Sequence, residues 1–340
     1  MTLLADATGA TRTTGPGRRT VAVAVTLVAV AATACVASVL IGSGGLMPWA
    51  ALKAGHPMHG VLEARIERTV LALVVGAALG LVGACMQGLT RNPLADPGIL
   101  GLNAGASFAM VIAISWFGVS SLSSYLWFAF AGAAVAAVLV HAIAALGRDG
   151  ATPMKLAIAG AALTAAVTSW TSGVLLIDRS TVASFRLWQV GTVGGRGFEV
   201  LMIGLPFLAV GAILALASAR LLNTLALGDD LARGLGRRTG VDRAVLGVAI
   251  VLLCGSATAL AGPIAFAGLI VPHAVRALVG SDYTRVLPFS AVVGAVLLVV
   301  ADTLGRIVLP PTEIQVGIMT AVVGVPFFLH LIRRGRMAGL

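Results

Sequence analysis

The chain has 340 residues, of which 59% are hydrophobic and only 11% are charged. Soluble domains carry about 25% charged residues, so this composition excludes a soluble enzyme, and the high apolar content excludes a disordered chain. The formal net charge of +10 lies on basic residues scattered between long apolar runs, which indicates membrane topology rather than binding to nucleic acid. We therefore predict an all-α polytopic membrane protein, because a membrane β-barrel would show short alternating segments instead.

The apolar runs, taken in chain order, predict ten membrane-spanning helices, since a helix needs about 20 apolar residues to cross the hydrocarbon. Two runs supply two helices each, because 97–147 is long enough to turn near 118–124 and 244–275 is interrupted at Gly262-Pro263. An even number of helices puts both termini on the same side of the membrane. The uncharged runs cover 20–52, 69–90, 97–147, 156–177, 200–219, 244–275, 286–301 and 314–332.

The basic residues orient these helices and bound the domain. With the N-terminus inside, 16 of the Lys and Arg residues fall in inner segments and 7 in outer segments, as the positive-inside rule requires. We predict one ten-helix domain over 20–335, with cytoplasmic tails at 1–19 and 336–340 and a long inner loop at 220–243. The first apolar run is too long for the core of a cleaved signal peptide, so we assign it as the first span.

The acidic residues and cysteines limit the chemistry that this chain can perform. Asp178, Asp302 and Glu313 lie at predicted outer ends and Asp96 at an inner end, so we expect no acidic residue deep within a span. Ion-coupled carriers usually need an ionisable group near the midplane, which favours an energy source outside this chain. The sequence has no phosphate-binding loop for ATP, and its three cysteines form no cluster with histidine, so we expect no cofactor or metal site here.

Two motifs are more specific than hydropathy. The first contains Arg65-Ile-Glu-Arg68-Thr and, after a span, Asn92-Pro93-Leu94-Ala95-Asp96-Pro97. The second contains Gly262-Pro263-Ile-Ala-Phe266 and Pro272-His273-Ala-Val-Arg276, and it continues to Asp302, Arg306 and Glu313-Ile-Gln-Val-Gly317. Over roughly 20–335 the sequence closely resembles the permease family of bacterial ABC importers for iron-siderophores, haem and vitamin B12. It departs from that family's usual pattern where Glu67 and Gln315 replace prolines.

The resemblance implies a ten-helix permease fold of the vitamin B12/siderophore type in the bacterial cytoplasmic (inner) membrane. It further implies three kinds of partner: a second permease subunit, identical or homologous, two ATP-binding cassette subunits inside, and an extracytoplasmic substrate-binding protein. ATP and Mg would be bound by the ATPase partner, so this chain would have no catalytic residues. The expected substrate is an iron-siderophore. Two alternatives stay open at this point: a vitamin B12 or haem importer, and an ion-coupled secondary transporter.

Outer-face candidates follow from spacing and from the resemblance. Arg65 and Arg68 are three residues apart at the start of a helix, so they share a face, and Arg306 ends another helix on the same side. By resemblance, these three arginines would dock the binding protein. The alternative is that they extend to lipid headgroups.

Inner-face candidates are of three kinds. Two prolines prevent a regular helix through 92–97, and by resemblance Asn92 and Leu94 would form a cytoplasmic gate with Thr152 and Met154. Asp229 and Gly236 predict the start and stop of a short helix in the long inner loop. By resemblance this helix would couple to the ATPase; the alternatives are an ordinary turn at the gate and a solvated basic loop. The coupling residues are Asp230, Leu231, Arg233, Gly234 and Leu235, and a further motif near the inner face contains Pro272, His273 and Arg276.

Overall fold

The computed structural model describes residues 16–119, 121–146, 152–236 and 239–333, and these residues are predominantly helical. The helices are α1 (Pro16–Leu40), α2 (His59–Thr90), α3 (Leu102–Phe117), α4 (Leu122–Ala145), α5 (Pro153–Ile177), α6 (Arg179–Gln189), α7 (Phe198–Ala217), α8 (Ala219–Ala226), α9 (Asp229–Gly234), α10 (Thr239–Ala261), α11 (Ala267–Val279), α12 (Tyr283–Ile307) and α13 (Val316–Arg333). Two short strands, β1 (Ile41–Gly42) and β2 (Gly45–Leu46), pair antiparallel after α1. Two 3-10 turns cover Trp49–Leu52 and Pro97–Leu100.

The helix count agrees with ten spans. Within the described ranges, seven helices are long and apolar enough to cross a membrane: α1, α2, α4, α5, α7, α10 and α12. Three shorter apolar helices, α3, α11 and α13, bring the number to ten. Both predicted breaks are present, because Gly118 ends α3 in the left-handed region and an irregular segment separates α10 from α11. The fold class predicted from hydropathy is therefore confirmed.

Several predicted boundaries need correction. Helix α1 begins at Pro16, so the last residues of the predicted 1–19 tail form its first turn, and it ends at Leu40 rather than near residue 52. Most of the inner loop at 220–243 is helical, because the leucines of α8 are buried against the neighbouring helices. The N-cap of α9 is Gly228 rather than Asp229. Residues 1–15 and 334–340, which include the predicted C-terminal tail, lie outside the described residues.

Helix α2 is the central element, and it packs most extensively against α12 and also against α10 and α11. Glycines allow this close approach. A Cβ added to Gly76 would collide with the carbonyl oxygen of Gly294 in α12, and a Cβ on Gly83 would collide with that of Gly268 in α11. Small residues bring membrane helices into backbone contact in this way, since lipid provides no hydrophobic force between them. This packing positions the candidate functional residues of α2, α11 and α12.

Candidate functional site

Arg65, Arg68, Asp302, Arg306 and Glu313 lie together and are called the outer cluster. A buried carboxylate forms its centre. Asp302 lies inside α12, five residues before its end, and is 1% exposed. The Arg68 guanidinium binds it bidentately, with Nε 2.9 Å from Oδ2 and Nη2 2.8 Å from Oδ1, and Arg306 Nε lies 3.3 Å from Oδ2. Asp302 thus lies near the outer end of its helix rather than deep within it, as the sequence indicated, although its side chain is buried. Two arginines neutralise it, which is how a charge can be buried among apolar helices.

Arg65 and Arg306 are buried and hold the end of α1. Arg306 is 2% exposed and donates to the backbone oxygens of Ser38 (2.9 Å) and Ile41 (3.2 Å). Arg65 is 8% exposed and donates to the oxygen of Leu40 at 3.1 Å. The last carbonyls of a helix lack intrahelical partners, so these two guanidiniums cap α1. Both are thus turned inward rather than toward a partner on the outer surface, and their docking role stays a prediction.

Glu313 brings the same cluster to the outer surface. It lies between α12 and α13, its side chain is 36% exposed, and its Oε2 is 2.6 Å from Arg68 Nη1. Ser43 donates to its other oxygen at 2.8 Å. Partial burial opposes the charged form, but the hydrogen bond from Arg68 and its positive charge outweigh that effect and lower the pKa of Glu313. Arg68 is therefore shared between one buried and one accessible carboxylate.

The predicted gate segment is irregular, as the prolines require. Helix α2 ends at Thr90, and the next residues remain non-helical until the 3-10 turn at Pro97–Leu100. Asp96 caps that turn by accepting from the Gly98 amide at 2.9 Å. Leu94 borders a cavity of about 220 Å³, whose other lining residues are Asp96, Ala265, Phe266, Leu269 and Phe328.

The four predicted gate residues are not brought together around this cavity. Asn92 is exposed, and its side-chain oxygen accepts from the Leu94 amide at 2.9 Å, so it shapes the turn. Thr152 caps α5 by accepting from the Lys155 amide, Met154 is 74% exposed, and neither lines the cavity. Leu94 is the member of the set that borders the cavity, and gating stays a prediction.

The predicted coupling residues lie on a small helical unit. Leu221 and Leu225 of α8 bury Ala232 of α9 and hold the two helices together. Leu231 and Leu235 are 61% and 67% exposed on the other side. Arg233 and Gly234 are also exposed, whereas the Asp230 side chain lies outside the described residues. This unit presents leucines outward at the inner face, where a water-facing surface would favour polar residues.

The inner-face motif points into the protein. Pro272 is buried in α11, and the His273 ring lies edge-on to Phe327 of α13 at 6.3 Å. Arg276 Nη1 donates to Gln87 Oε1 of α2 at 2.6 Å. The partner of Arg276 is therefore in α2 itself, and a contact of this motif with an ATPase stays a prediction. The sequence analysis did not identify Gln87 as a functional residue. Its polar side chain within the uncharged run 69–90 was the feature that could have indicated it.

The similarity of this chain to known proteins identifies its family. The chain matches the FecCD transport family over residues 21–334. It belongs to the FecCD transport family. It is 42% identical to a probable siderophore transport system permease of Bacillus subtilis (strain 168), covering 92% of this chain and 96% of the relative. It is 45% identical to the ferric enterobactin transport system permease of Escherichia coli (strain K12), covering 82% and 83%.

A solved structure agrees with the fold of this FecCD-family chain. A transporter assigned to the metal-chelate ABC type, in an inward-facing conformation, superposes with a TM-score of 0.81 at 25% identity and covers 94% of this chain and 99% of that one. The resemblance stated from the motifs is confirmed, and so are the permease fold and the membrane location. The chain is a multi-pass permease subunit of the bacterial cytoplasmic membrane.

Proposed function

We propose that this chain forms part of the transmembrane pathway of an ATP-driven importer that carries an iron-siderophore complex into the cell. The observation that carries the proposal is the full-length similarity to a siderophore permease, at 42% identity over 92% of the chain. Similarity to a ferric enterobactin permease points to the same substrate class. Vitamin B12 and haem are the alternatives within the family.

The energy comes from partners in this proposal. Two ATP-binding cassette subunits bind ATP and Mg and contact the exposed leucines of α9, while a second permease, identical or homologous, completes the pathway. A soluble binding protein delivers the substrate outside. This subunit performs no covalent chemistry; it alternates between conformations that open outward and inward.

Docking is best supported at Arg68. Arg65 and Arg306 hold the end of α1, whereas the Arg68–Glu313 pair is the part of the cluster that reaches the surface. An incoming carboxylate of the binding protein would share or replace Glu313 on Arg68, and the opposite charges would fix the register of the two proteins. On the inner side, Leu94 and Asn92 are proposed as the gate, with Thr152 and Met154 as a second constriction.

An ion-coupled secondary transporter fits the contacts less well. Such a carrier needs an ionisable group that is free to titrate inside the membrane. The carboxylate buried in α12, Asp302, is held by Arg68 and Arg306.

Uptake in a deletion strain tests the proposal. Under iron starvation, cells that lack this chain should lose uptake of siderophore-bound radioactive iron, and a plasmid copy should restore it. Labelled vitamin B12 and haem are the substrate controls, and restored uptake of one of these instead would contradict the siderophore assignment. A nucleotide-binding subunit should copurify with the tagged chain. Accumulation of solute by the purified chain alone, driven only by an ion gradient in liposomes, would refute the ATP-driven class.

A further inference from the structure

We propose that Asn223, Tyr283, Arg276 and Gln87 form a polar relay that transmits the position of the α8–α9 unit to the start of α11, beside the cavity that Leu94 borders. The four side chains belong to four different helices: α8, α12, α11 and α2. They are positioning residues that touch no substrate. The inference rests on the proposed function, since it assigns the route by which an ATPase movement reaches the gate.

The first step joins α8 to α12. The Asn223 side-chain oxygen accepts from the Tyr283 amide at 2.9 Å, and its nitrogen donates to Asp282 Oδ1 at 2.7 Å. Asp282 in turn caps α12 through the Thr284 amide at 2.9 Å. One amide side chain therefore binds both the cap and the first residue of α12, so α8 and the inner end of α12 are constrained to move together.

The second step is the Tyr283 ring, which is wedged between helices. Tyr283 is 7% exposed, and a Cβ added to Gly88 of α2 would lie 2.9 Å from its hydroxyl oxygen, so the ring lies directly on that helix. Arg276 Nη2 lies 3.4 Å from the same hydroxyl, and its guanidinium carbon is 5.8 Å from the ring centroid. Tyr283 therefore connects the start of α12 to the last turns of α11.

The third step uses Gln87, which is 1% exposed and contacts both ends of α11. Its Oε1 accepts from Arg276 at 2.6 Å, and its Nε2 lies 3.3 Å from the carbonyl oxygens of Gly268 and of Leu269. Pro272 has no amide hydrogen, so the carbonyl four residues earlier, that of Gly268, loses its helical donor. Gln87 supplies the missing donor from another helix.

This replacement explains why the relay ends at the gate. Leu269 lines the cavity together with Leu94, and Phe266 at the start of α11 lines it too. The first turn of α11 is held by a side chain of α2 rather than by a complete helical ladder. A displacement of Arg276 would therefore move Gln87 and change how it holds the first turn of α11, which lines the cavity together with Leu94.

Coupling in the assembled importer is the first test. Gln87→Met and Arg276→Met should each lower the number of solute molecules transported per ATP hydrolysed by about five- to ten-fold, the lower end of typical coupling effects. The double variant should be no worse than the more severe single one, because residues of one network are not additive. Arg19→Met, a charge loss at an exposed residue in the first turn of α1, is the control and should keep the wild-type ratio.

Gln87→Glu separates the two contacts of Gln87. It keeps an acceptor for Arg276 but has no amide hydrogens for Gly268 and Leu269. The relay predicts that this variant is as uncoupled as Gln87→Met. Wild-type coupling in Gln87→Glu would overturn the link to α11, and additive losses in the double variant would overturn the relay as a unit. All ratios are taken per assembled complex, so a lower yield does not affect them.

A second readout does not need the ATPase. A cysteine at Leu94→Cys can be labelled in membrane vesicles with a thiol reagent, against the background of the native cysteines, of which Cys85 and Cys254 are buried. Adding Gln87→Met should change the labelling rate at least three-fold, and Arg19→Met should not change it. An unchanged rate would overturn the relay, whereas a wild-type complex without ATP-dependent uptake would overturn the proposed function instead.

Discussion

At the scale of single residues, Arg68 divides its guanidinium between two carboxylates in different surroundings. Asp302 is buried with two arginine partners, whereas Glu313 is partly exposed and held by Arg68 and Ser43. Because burial removes competition from water, the Arg68–Asp302 pair is the structural one. The Arg68–Glu313 pair is the one that a second carboxylate can displace at small cost, since exposed ion pairs contribute about 0–1 kcal/mol.

We predict that Glu313→Gln tightens binding of the substrate-binding protein about three-fold, because it removes the charge that occupies Arg68. The lowered pKa of Glu313 means that its pair with Arg68 is complete at neutral pH and is lost only in acid, below its ordinary pKa. The affinity of the binding protein for the assembled importer in nanodiscs at neutral pH measures the effect. Glu63→Gln, on an exposed acidic residue of α2 paired with His59, is the control. Unchanged or weaker binding of Glu313→Gln would contradict docking at Arg68.

At the scale of elements, the α8–α9 unit combines a buried seam with an exposed apolar edge. Leu221, Leu225 and Ala232 fold α9 onto α8, so Leu231 and Leu235 are not required for its internal packing. Exposed leucines on a short helix and at its C-cap are the pattern expected of a helix that docks in a partner's groove.

We predict that Leu231→Ser combined with Leu235→Ser lowers the amount of copurifying ATP-binding subunit by ten-fold or more, since a few buried apolar anchors carry most of the energy of an interface. Quantitative gels of the purified complex give the ratio. Leu176→Ser, at an 84% exposed leucine near the other end of the membrane in α5, should leave that ratio unchanged. If the α9 variant retains a full complement of ATPase, the coupling assignment is wrong.

At the scale of the whole molecule, α2 from the N-terminal part of the chain packs against α11 and α12 from the C-terminal part. At Gly76 and Gly83 the contacts are between backbones, so no side chain there could move aside to make room for a larger residue. The outer cluster and the polar relay both depend on this approach, because Arg68 and Gln87 lie on the same α2 helix as the two glycines.

We predict that Gly76→Ala destabilises the purified chain by about 1–3 kcal/mol, the usual penalty of overpacking, although alanine favours helix formation. Gly60→Ala, in the first turn of the same helix with no atom within 4 Å of an added Cβ, should not lower stability. Thermal unfolding in detergent compares the two variants. A Gly76→Ala chain as stable as Gly60→Ala would contradict the packing of α2 against α12.

The amino-acid sequence by itself determined the number of spans, both helix breaks, the end of the regular helix before the prolines of 92–97 and the family. These features depend on run length, on glycine and proline, and on local motifs, all of which act within a few residues. Only the tertiary structure decided which way the charged side chains of the two motifs face. Arg68 meets Asp302 across 234 positions and Arg276 meets Gln87 across 189, and such pairs form only because α2 packs against α11 and α12. For that reason Arg65 and Arg306, expected at an outer docking surface, are buried against α1.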